Sequence, residues 1–311
     1  MKVTVVGVGN VGATCAQMVA GKNIVQEVVL LDIKPGMPEG KSLDLWEAAP
    51  INSYDTRLTG STNDYSKTKD SDVVVITSGL PRKPGMSRDD LISINAGIVK
   101  TVTESIVKYS PKAKLIIVSN PLDVMTYVAS LASKFPDNQV MGMAGVLDTA
   151  RYRSFIAQEL GVSPRDIQAL LLGGHGDSMV PLKRYTTVAG IPVTDLIDDE
   201  KLNAIIERTK KGGGELVNLM GTSAWYAPGS AAAQMVEAIV MDQKRVFPVC
   251  AKLNGEYGMK GIFLGVPVVL GKNGVEKVIE VKLNKEEKAN LDVSAKAVEK
   301  IMAVFDDMKL M

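Results

Sequence analysis

The sequence predicts an α/β fold in which a doubly wound parallel sheet precedes a second, mixed α+β domain. In the first half, short apolar runs alternate with segments of helical periodicity, and a glycine-rich turn follows the first run. Such alternation favours a parallel sheet covered by helices. The pattern changes after about residue 145, and 311 residues exceed one ordinary domain of roughly 100 to 200 residues. We therefore expect two domains, at residues 1–144 and 145–311.

The predicted elements of the first half form a series of βα units. In chain order they are a strand at 3–6, a helix at 11–19, a strand at 28–31, a strand at 73–77, a long helix at 91–109 and a strand at 115–118. The strands are apolar and are bounded by Gly, Pro or Asn, which is typical of strands. This succession predicts the doubly wound sheet of the Rossmann fold.

The second half has fewer regular repeats and mixes both kinds of element. Its predicted elements are a helix at 148–160, a glycine-rich strand end at 170–176, an alternating strand-like stretch at 261–281 and a helix at 285–308. The last helix is predicted from apolar residues at helical spacing, namely Leu291, Ala295, Val298, Ile301, Met302 and Phe305. We expect its apolar face to pack against the rest of the domain.

The composition argues against several classes of protein. Lys and Arg number 36 against 35 Asp and Glu, without a basic, aromatic-rich stripe, so nucleic acid is not an expected partner. Cys15 and Cys250 are too few for a disulfide framework and lack ligand-spaced neighbours, which indicates a reducing compartment and no metal. Because no signal sequence and no run of about 18 apolar residues occur, we expect a soluble cytoplasmic protein without a membrane partner.

The turn after the first predicted strand fits the dinucleotide-binding pattern G-x-G-x-x-G. Its residues are Gly7, Val8, Gly9, Asn10, Val11 and Gly12. Glycines in this pattern permit a tight turn and a close approach of the backbone to a pyrophosphate, which then faces the helix N-terminus. By itself the pattern is a weak signal, because glycine turns after strands are common.

Asp32 strengthens this interpretation and favours NAD over NADP. It ends the next predicted strand, 20 residues after Gly12, where a carboxylate accepts hydrogen bonds from the adenosine ribose hydroxyls. The same carboxylate would repel a 2′-phosphate, and Ile33 supplies no cation for one, although Lys34 is close. The alternative is that Asp32 merely ends a strand in a turn.

The only histidine stands among glycines, in the segment Gly173-Gly174-His175-Gly176-Asp177. Histidine titrates closest to neutral pH, which suits a group that gives a proton to a carbonyl oxygen and takes it back from a hydroxyl. The three glycines remove side-chain bulk and would let a ligand approach. A single histidine is more often structural, but this context favours a catalytic one.

Asp148 and Arg151 lie three residues apart near the start of a predicted helix, and hence on one face. A buried carboxylate commonly orients a proton-relaying imidazole, and an acidic substrate needs a forked cation. The alternative is a local ion pair without a functional role.

Residues 79–88, GLPRKPGMSR, contain two prolines, two glycines and three cations directly after a predicted strand. This composition is typical of a loop. The loop could close over an anion, or it could be a solvated basic turn.

Taken together, these residues resemble the lactate/malate dehydrogenase family, most closely its branch of lactate dehydrogenase-like type that acts on malate. The resemblance runs along nearly the whole chain and rests on several blocks in order. They are GVGNVG from Gly7, LLDI from Leu30, TSGLPRKPGMSRDDL from Thr77, VSNPLDVMTY from Val118, GVLDTARYR from Gly145, GGHGDSMVP from Gly173 and APGSAAAQMVEAIV from Ala227.

The resemblance implies roles for the site residues. His175 would be the proton donor and acceptor, Asp148 would fix its tautomer, and Asp177 would be a turn residue. Arg151 would clamp the substrate carboxylate, and Arg88 would polarise the carbonyl. Two further substrate-binding residues are implied, Asn120 and Ser223. The residues implied to bind the cofactor are Gly7, Val8, Gly9, Asn10, Val11, Gly12, Asp32, Thr77, Ser78, Gly79, Asn95, Val118, Ser119 and Asn120.

Arg82 is the residue that would decide the substrate. In family members specific for lactate the matching position is usually uncharged, often Gln, whereas the members that act on malate have Arg there for the second carboxylate. Pyruvate would leave that arginine desolvated and unpaired, which gives strong discrimination. Lys83 is assigned to solvent, because lysine lacks the planar fork.

The implied function is reversible hydride transfer between malate and NAD⁺, a reaction of the tricarboxylic acid cycle, in a homo-oligomer that is a dimer or a tetramer. One alternative is a lactate or broad 2-hydroxy acid dehydrogenase with the same machinery. Another is a silent dinucleotide-binding sensor, which the set of His175, Asp148, Arg151 and Arg88 disfavours. A serine hydrolase is disfavoured because no G-x-S-x-G turn occurs, and a zinc enzyme because ligands are lacking.

Overall fold

The computed structural model describes residues 1–80 and 88–310. Its strands are β1 (Lys2–Val6), β2 (Glu27–Asp32), β3 (Arg57–Thr62), β4 (Val73–Ile76), β5 (Lys114–Ile117), β6 (Val140–Gly142), β7 (Ile167–Gln168), β8 (Leu171–Leu172), β9 (Val180–Pro181), β10 (Thr187–Val188), β11 (Ile191–Pro192), β12 (Arg245–Asn254), β13 (Lys260–Gly271) and β14 (Gly274–Val278). Its α-helices are α1 (Asn10–Gly21), α2 (Met37–Glu47), α3 (Ala49–Asn52), α4 (Arg88–Tyr109), α5 (Leu122–Ser133), α6 (Gly145–Leu160), α7 (Asp199–Met220), α8 (Tyr226–Val240) and α9 (Lys285–Asp307).

The predicted doubly wound parallel sheet is confirmed. Six strands run parallel in the order β3-β2-β1-β4-β5-β6, so the direction of winding reverses between β1 and β4. The apolar strands are buried on both faces, and alternate side chains join different cores: Val3 and Val5 belong to one, Val6 to the other. A crevice at the carboxyl ends of β1 and β4 is where such a sheet binds its ligand.

The second half is mixed α+β as predicted, and it extends the same sheet, which the sequence analysis did not predict. β12 pairs antiparallel with β6 at Cys250 and Gly142, and β13 and β14 continue the sheet beyond β12. A Cβ at Gly142 would lie 2.5 Å from the Oγ1 of Thr126 and 2.9 Å from the Cβ of Cys250. The junction therefore needs glycine at this position. The boundary between residues 144 and 145 stays a prediction, and α6 begins at Gly145.

Two of the predicted strands differ from the structure. The alternating stretch at 261–281 is a hairpin of β13 and β14, because the chain turns back at Lys272 and Asn273, directly before Gly274, whose φ is +88°. The glycine-rich strand end at 170–176 is the two-residue strand β8 followed by a loop. Gly173 forms a single antiparallel bridge with Gly265 of β13, and Gly173 and Gly174 pack against α9.

The predicted C-terminal helix is confirmed as α9. It begins with a capping box, in which the Asn284 side chain accepts the N–H of Glu287 and the Glu287 side chain accepts the N–H of Asn284. Leu291, Val298 and Phe305 are buried, as their spacing predicts. The helix packs on α5 and β13 and so supports the loop that carries the histidine.

Three findings bear on the classes of protein considered above. Within residues 1–80 and 88–310, no helix is long and apolar enough to cross a membrane. Over the same two ranges, no group of three or more His, Cys, Asp or Glu side chains could hold a metal ion. Cys15 and Cys250 are both buried and free.

Candidate active site

The glycines of the turn between β1 and α1 serve two different purposes. A Cβ at Gly7, where φ is +88°, would lie 2.8 Å from the nitrogen of Ser78, and one at Gly12 would lie 2.0 Å from the carbonyl oxygen of Gly7. These two glycines are required by the packing of the protein itself. A Cβ at Gly9 would meet no described atom within 4 Å. Glycine at this position leaves open space over the turn, as the close approach of a ligand requires.

Asp32, at the end of β2, stabilises the turn between β1 and α1 by a hydrogen bond. Its Oδ2 accepts the N–H of Val8 at 2.7 Å, and its Oδ1 accepts the N–H of Lys34 at 3.0 Å. Lys41 of α2 donates to the carbonyl oxygen of Val8 at 2.7 Å, so the same peptide segment is held from two sides. Each carboxylate oxygen has more than one lone pair, and Asp32 therefore keeps acceptor capacity toward a ligand.

A groove of about 490 Å³ lies over the turn, at the crevice between β1 and β4. The residues predicted to bind the cofactor that line it are Gly7, Gly9, Asn10, Val11, Asp32, Thr77, Ser78 and Gly79. Ser223, predicted to lie near the substrate, lines the same groove. Of the other predicted residues, Val8 is buried below it and Val118 packs against the core. Sequence analysis missed Tyr65 in this groove; burial and the charge of Asp32 raise the pKa of its phenol.

The turns after β4 and β5 are tied together by side chains. The Ser119 hydroxyl donates to the carbonyl oxygen of Ser78 at 2.6 Å. Asn95 of α4 accepts the N–H of Leu80 at 2.8 Å and donates to the carbonyl oxygens of Leu80 and Asn120 at 3.1 and 2.7 Å. Both side chains thus bind the protein backbone and fix the two turns relative to each other. A contact of Asn95 or Ser119 with the cofactor stays a prediction.

His175, Asp148 and Arg151 meet in space. The Nδ1 of His175 lies 2.8 Å from the Oδ2 of Asp148, and because a carboxylate accepts only, Nδ1 carries the proton and Nε2 is the acceptor. The Oδ1 of Asp148 accepts from the Nη1 of Arg151 at 3.3 Å. The Asp148 side chain is 3% exposed, whereas those of Arg151 and His175 are 14% and 22% exposed. A buried carboxylate therefore orients an imidazole and a guanidinium that line one cavity of about 320 Å³.

The glycines beside His175 do not all open the site to a ligand, contrary to expectation. A Cβ at Gly173 would lie 2.5 Å from the Oγ of Ser294, and one at Gly174 would lie 2.6 Å from the Cγ2 of Val298. These two positions need glycine because α9 lies against them. Gly176, with φ of +112° and open space around it, fits the expected access.

A second buried carboxylate, Asp123 in the first turn of α5, supports the histidine, and sequence analysis missed it. Its Oδ2 accepts the backbone N–H of His175 at 3.0 Å. Burial raises the pKa of Asp123, an effect that His175 opposes. Burial, with the charge of Asp123, also holds the pKa of the Cys250 thiol well above its usual range. The sequence feature that could have identified Asp123 is that it is the only carboxylate in the block VSNPLDVMTY.

The carboxylates outweigh burial in setting the charge of His175. Burial lowers the pKa of the imidazole, but the charge and hydrogen bond of Asp148 and the charge of Asp123 raise it, with Arg151 opposing them. The net shift is upward. The protonated imidazole therefore persists to higher pH than that of an ordinary histidine, which suits a proton donor.

The remaining predicted substrate residues divide between described and undescribed parts of the chain. Asn120 and His175 line a common cavity of about 540 Å³ beside α9. Arg82, Lys83 and the side chain of Arg88 lie outside the described residues. Their roles stay predictions.

Comparison with known proteins gives a consistent result along the chain. Residues 1–142 match the family model described as lactate/malate dehydrogenase, NAD binding domain. Residues 145–307 match the model described as lactate/malate dehydrogenase, alpha/beta C-terminal domain.

Individual relatives cover nearly the full length. A protein of Cytophaga hutchinsonii named malate dehydrogenase is 71% identical over 308 residues, which are 99% of either chain. One of the same name from Salinibacter ruber is 64% identical over 295 residues, 95% of this chain and 94% of the relative. The solved structure of malate dehydrogenase from Salinibacter ruber has a TM-score of 0.96 and 60% identity, and the match covers 99% of each chain.

Proposed function

The chain belongs to the lactate/malate dehydrogenase family, and on this premise we propose that it catalyses the reversible, NAD-dependent oxidation of malate to oxaloacetate. The observation that carries the proposal is the contact of His175, Asp148 and Arg151, in a chain that also has a groove over the glycine turn. Relatives at 71% and 64% identity named malate dehydrogenase support malate over lactate.

The groove over the glycine turn fits NAD. The open space at Gly9 leaves room for a pyrophosphate at the N-terminus of α1, and Asp32 keeps acceptors for ribose hydroxyls. When bound, NAD supplies the nicotinamide ring that takes the hydride from malate or returns it to oxaloacetate. Asp32 would repel the additional phosphate of NADP.

The dicarboxylate is bound by arginines and oriented by polar side chains. Arg151, already fixed by Asp148, pairs with the carboxylate next to the reacting carbon. We assign Arg82 to the second carboxylate and Arg88 to the carbonyl oxygen, both on the pattern of the family. Asn120 and Ser223 supply further hydrogen bonds.

His175 moves the proton. In the reduction of oxaloacetate the protonated imidazole gives its Nε2 proton to the carbonyl oxygen, which becomes a hydroxyl. In the oxidation of malate the neutral imidazole takes that proton back at the same atom. Asp148 holds Nδ1–H and stabilises the imidazolium in both directions.

Replacement of His175 tests the proposed chemistry. We expect His175→Asn to lower kcat for oxaloacetate reduction by several orders of magnitude, because no group then donates the proton. The dissociation constant of NADH, from fluorescence titration, is expected to stay unchanged, since His175 does not line the dinucleotide groove. Undiminished turnover would overturn the proposal.

The choice of substrate is tested separately, by NADH oxidation with oxaloacetate and with pyruvate. We expect a strong preference for oxaloacetate that collapses in Arg82→Gln. Preference for pyruvate in the unchanged chain would instead establish a lactate dehydrogenase. Binding of NADH without turnover of either acid would indicate a dinucleotide sensor.

We also propose that the chain forms a homo-oligomer, a dimer or a tetramer. The end of α7 and the start of α8 expose large apolar side chains, among them Val217, Leu219 and Tyr226, and Leu219 is 76% exposed. These side chains lie close together in the sequence, and groups of exposed apolar side chains are typical of protein interfaces. Sedimentation velocity is expected to give a mass of two or four chains, and a purely monomeric species would refute this.

We further place the enzyme in the cytoplasm, at the malate step of the tricarboxylic acid cycle. The free, buried thiols of Cys15 and Cys250 fit a reducing compartment. Cell fractionation with activity assays tests the location. Recovery of the activity in the membrane or periplasmic fraction would contradict it.

A further inference from the structure

Helix α7 contains three successive glycines, Gly212, Gly213 and Gly214, near its middle. Glycine in a helix interior destabilises the helix relative to alanine, so each such position needs a reason. The three sites differ in what a side chain would meet. A Cβ at Gly213 or Gly214 would have no described atom within 4 Å.

Gly212 differs from its two neighbours because Arg151 of α6 lies against it. A Cβ at residue 212 would lie 3.0 Å from the Cδ and 3.4 Å from the Nε of Arg151, and all three of its nearest atoms belong to that side chain. Gly212 follows Leu202, Ile206 and Thr209 on the buried face of α7. An added methyl group would therefore press on Arg151 from a helix face that is packed in place.

Arg151 has little freedom to yield to such a group. Its side chain is 14% exposed, and its Nη1 is tied to the Oδ1 of Asp148 at 3.3 Å. Its Nε is buried and has no hydrogen-bond partner among the residues that the structure describes. A methyl group would cover this N–H further and shift the guanidinium by a few tenths of an ångström.

We propose that Gly212 is a positioning residue for the substrate carboxylate, because the absence of a side chain there leaves room for Arg151 to lie against α7 in the cavity that it lines together with His175. The inference rests on the role proposed above for Arg151 as the carboxylate clamp. It adds that two contacts fix the position of Arg151, one with the carboxylate of Asp148 and one with the backbone of α7 at Gly212. Small displacements of a clamp reduce substrate affinity steeply.

The test is Gly212→Ala, with Gly97→Ala as matched control. Gly97 lies in the middle of α4, is exposed, and would have no described atom within 4 Å of a Cβ. Gly213 and Gly214 are unsuitable controls because they line the same cavity as Arg151 and His175. We expect Gly212→Ala to raise KM for oxaloacetate on the order of tenfold. In the same variant the NADH dissociation constant is expected to stay within about twofold of its original value, and Gly97→Ala is expected to change neither quantity.

A double-variant cycle separates positioning from a general structural effect. In an Arg151→Ala background both the guanidinium and the Cδ that the methyl group would contact are gone, so Gly212→Ala is expected to change KM by less than about twofold. An unchanged KM in folded Gly212→Ala, or full additivity in the double variant, would overturn the proposal. If Arg151→Ala itself behaves like the original chain, the proposed clamp fails and Gly212 loses its role with it.

Folding failure of the single variant is also informative. All three nearest neighbours of a Cβ at residue 212 belong to Arg151, so the combination of Gly212→Ala with Arg151→Ala is expected to fold and to melt at or above the temperature of Arg151→Ala alone. A double variant that stays unfolded would show that residue 212 acts on something other than Arg151, and would overturn the proposal.

Discussion

At the scale of single residues, the proposed role of His175 in proton transfer depends on the charge of its imidazole. Burial lowers its pKa, and Asp148 and Asp123 together raise it by more. Asp148 acts through a side-chain hydrogen bond of 2.8 Å, whereas Asp123 holds the backbone N–H of the histidine. In the proposed mechanism oxaloacetate reduction needs the protonated imidazole, so its rate is expected to fall as pH rises through the raised pKa. Malate oxidation needs the neutral form and is expected to rise over the same range.

Asp148→Asn tests this assignment. Removing the charge and hydrogen bond that raise the pKa of His175 is expected to move the fall in kcat/KM for oxaloacetate to lower pH. The maximal rate is also expected to drop by several orders of magnitude, because an amide can impose the wrong tautomer. The measurement is a pH profile of NADH oxidation at fixed ionic strength. A profile that keeps its midpoint would show that Asp148 does not set the pKa.

Two glycines of the turn between β1 and α1 give predictions that differ in their effect on stability. Gly12→Ala would place a Cβ 2.0 Å from the carbonyl oxygen of Gly7 and is expected to cost about 1–3 kcal/mol of unfolding free energy or more, together with NADH binding. Gly9→Ala meets no described atom and is expected to leave stability unchanged while weakening NADH binding. Urea unfolding and NADH fluorescence titration separate the two effects. Equal loss of stability in both variants would contradict the distinction.

His175, Asp148 and Arg151 could be predicted from the sequence, because each occurs in a local pattern that has few physical explanations. The histidine among glycines and the Asp148–Arg151 spacing both pointed to groups that the structure brings together. Asp123 could not be found in this way, because its contact is with a backbone N–H that lies 52 residues away in sequence. The glycines before His175 were misjudged because their neighbours, Ser294 and Val298, lie on a helix far along the chain.

At the scale of elements, the strands buried on both faces and the amphipathic α9 were predictable from local pattern. Helix α8 was not, because it is buried on nearly all sides and therefore shows no apolar stripe. Strand β6 has three residues and β8 has two, too few to establish a period. β12 contains Pro248, which argues against a central strand, yet it pairs with β13 on one side and β6 on the other.

The anchoring of α9 gives a prediction about stability. Phe305 is 1% exposed and meets the ring of Tyr127 edge-on at 6.0 Å. Phe305→Ala is expected to lower the free energy of unfolding by about 3–5 kcal/mol, because it leaves a cavity between α9 and α5. Val293→Ala, on the exposed face of the same helix, is the matched control and is expected to change stability by less than about 0.5 kcal/mol. Equal effects in a urea titration would mean that α9 is not held by its apolar face.

At the scale of the whole molecule, the two halves share one sheet of nine strands. Its order could not be predicted from sequence, because the pairing of β6 with β12 depends on contacts between distant segments. A shared sheet, with a core that draws residues from both halves, predicts that they unfold together.

Tryptophan fluorescence can test this coupling. Trp46 lies on α2 in the first half, and Trp225 precedes α8 in the second. Urea transitions of Trp46→Phe and Trp225→Phe, each of which reports on the other tryptophan, are expected to have the same midpoint once corrected for the effect of each substitution by circular dichroism. Separate midpoints would show that the halves unfold independently despite the shared sheet.

The pairing of β6 with β12 at Gly142 also has a consequence during synthesis, because β6 leaves the ribosome long before its partner does. β6 is complete at residue 142, but its partner β12 begins only at residue 245. Synthesis of the intervening residues, about 100 in number, takes about 5 to 20 s at roughly 5 to 20 residues per second. During this time the edge of β6 that will pair with β12 is unpaired. An open edge can pair with another nascent chain, and the three-residue length of β6 limits how much of it is offered. The short interior strand β6 thus also limits wrong pairing while the sheet is still incomplete.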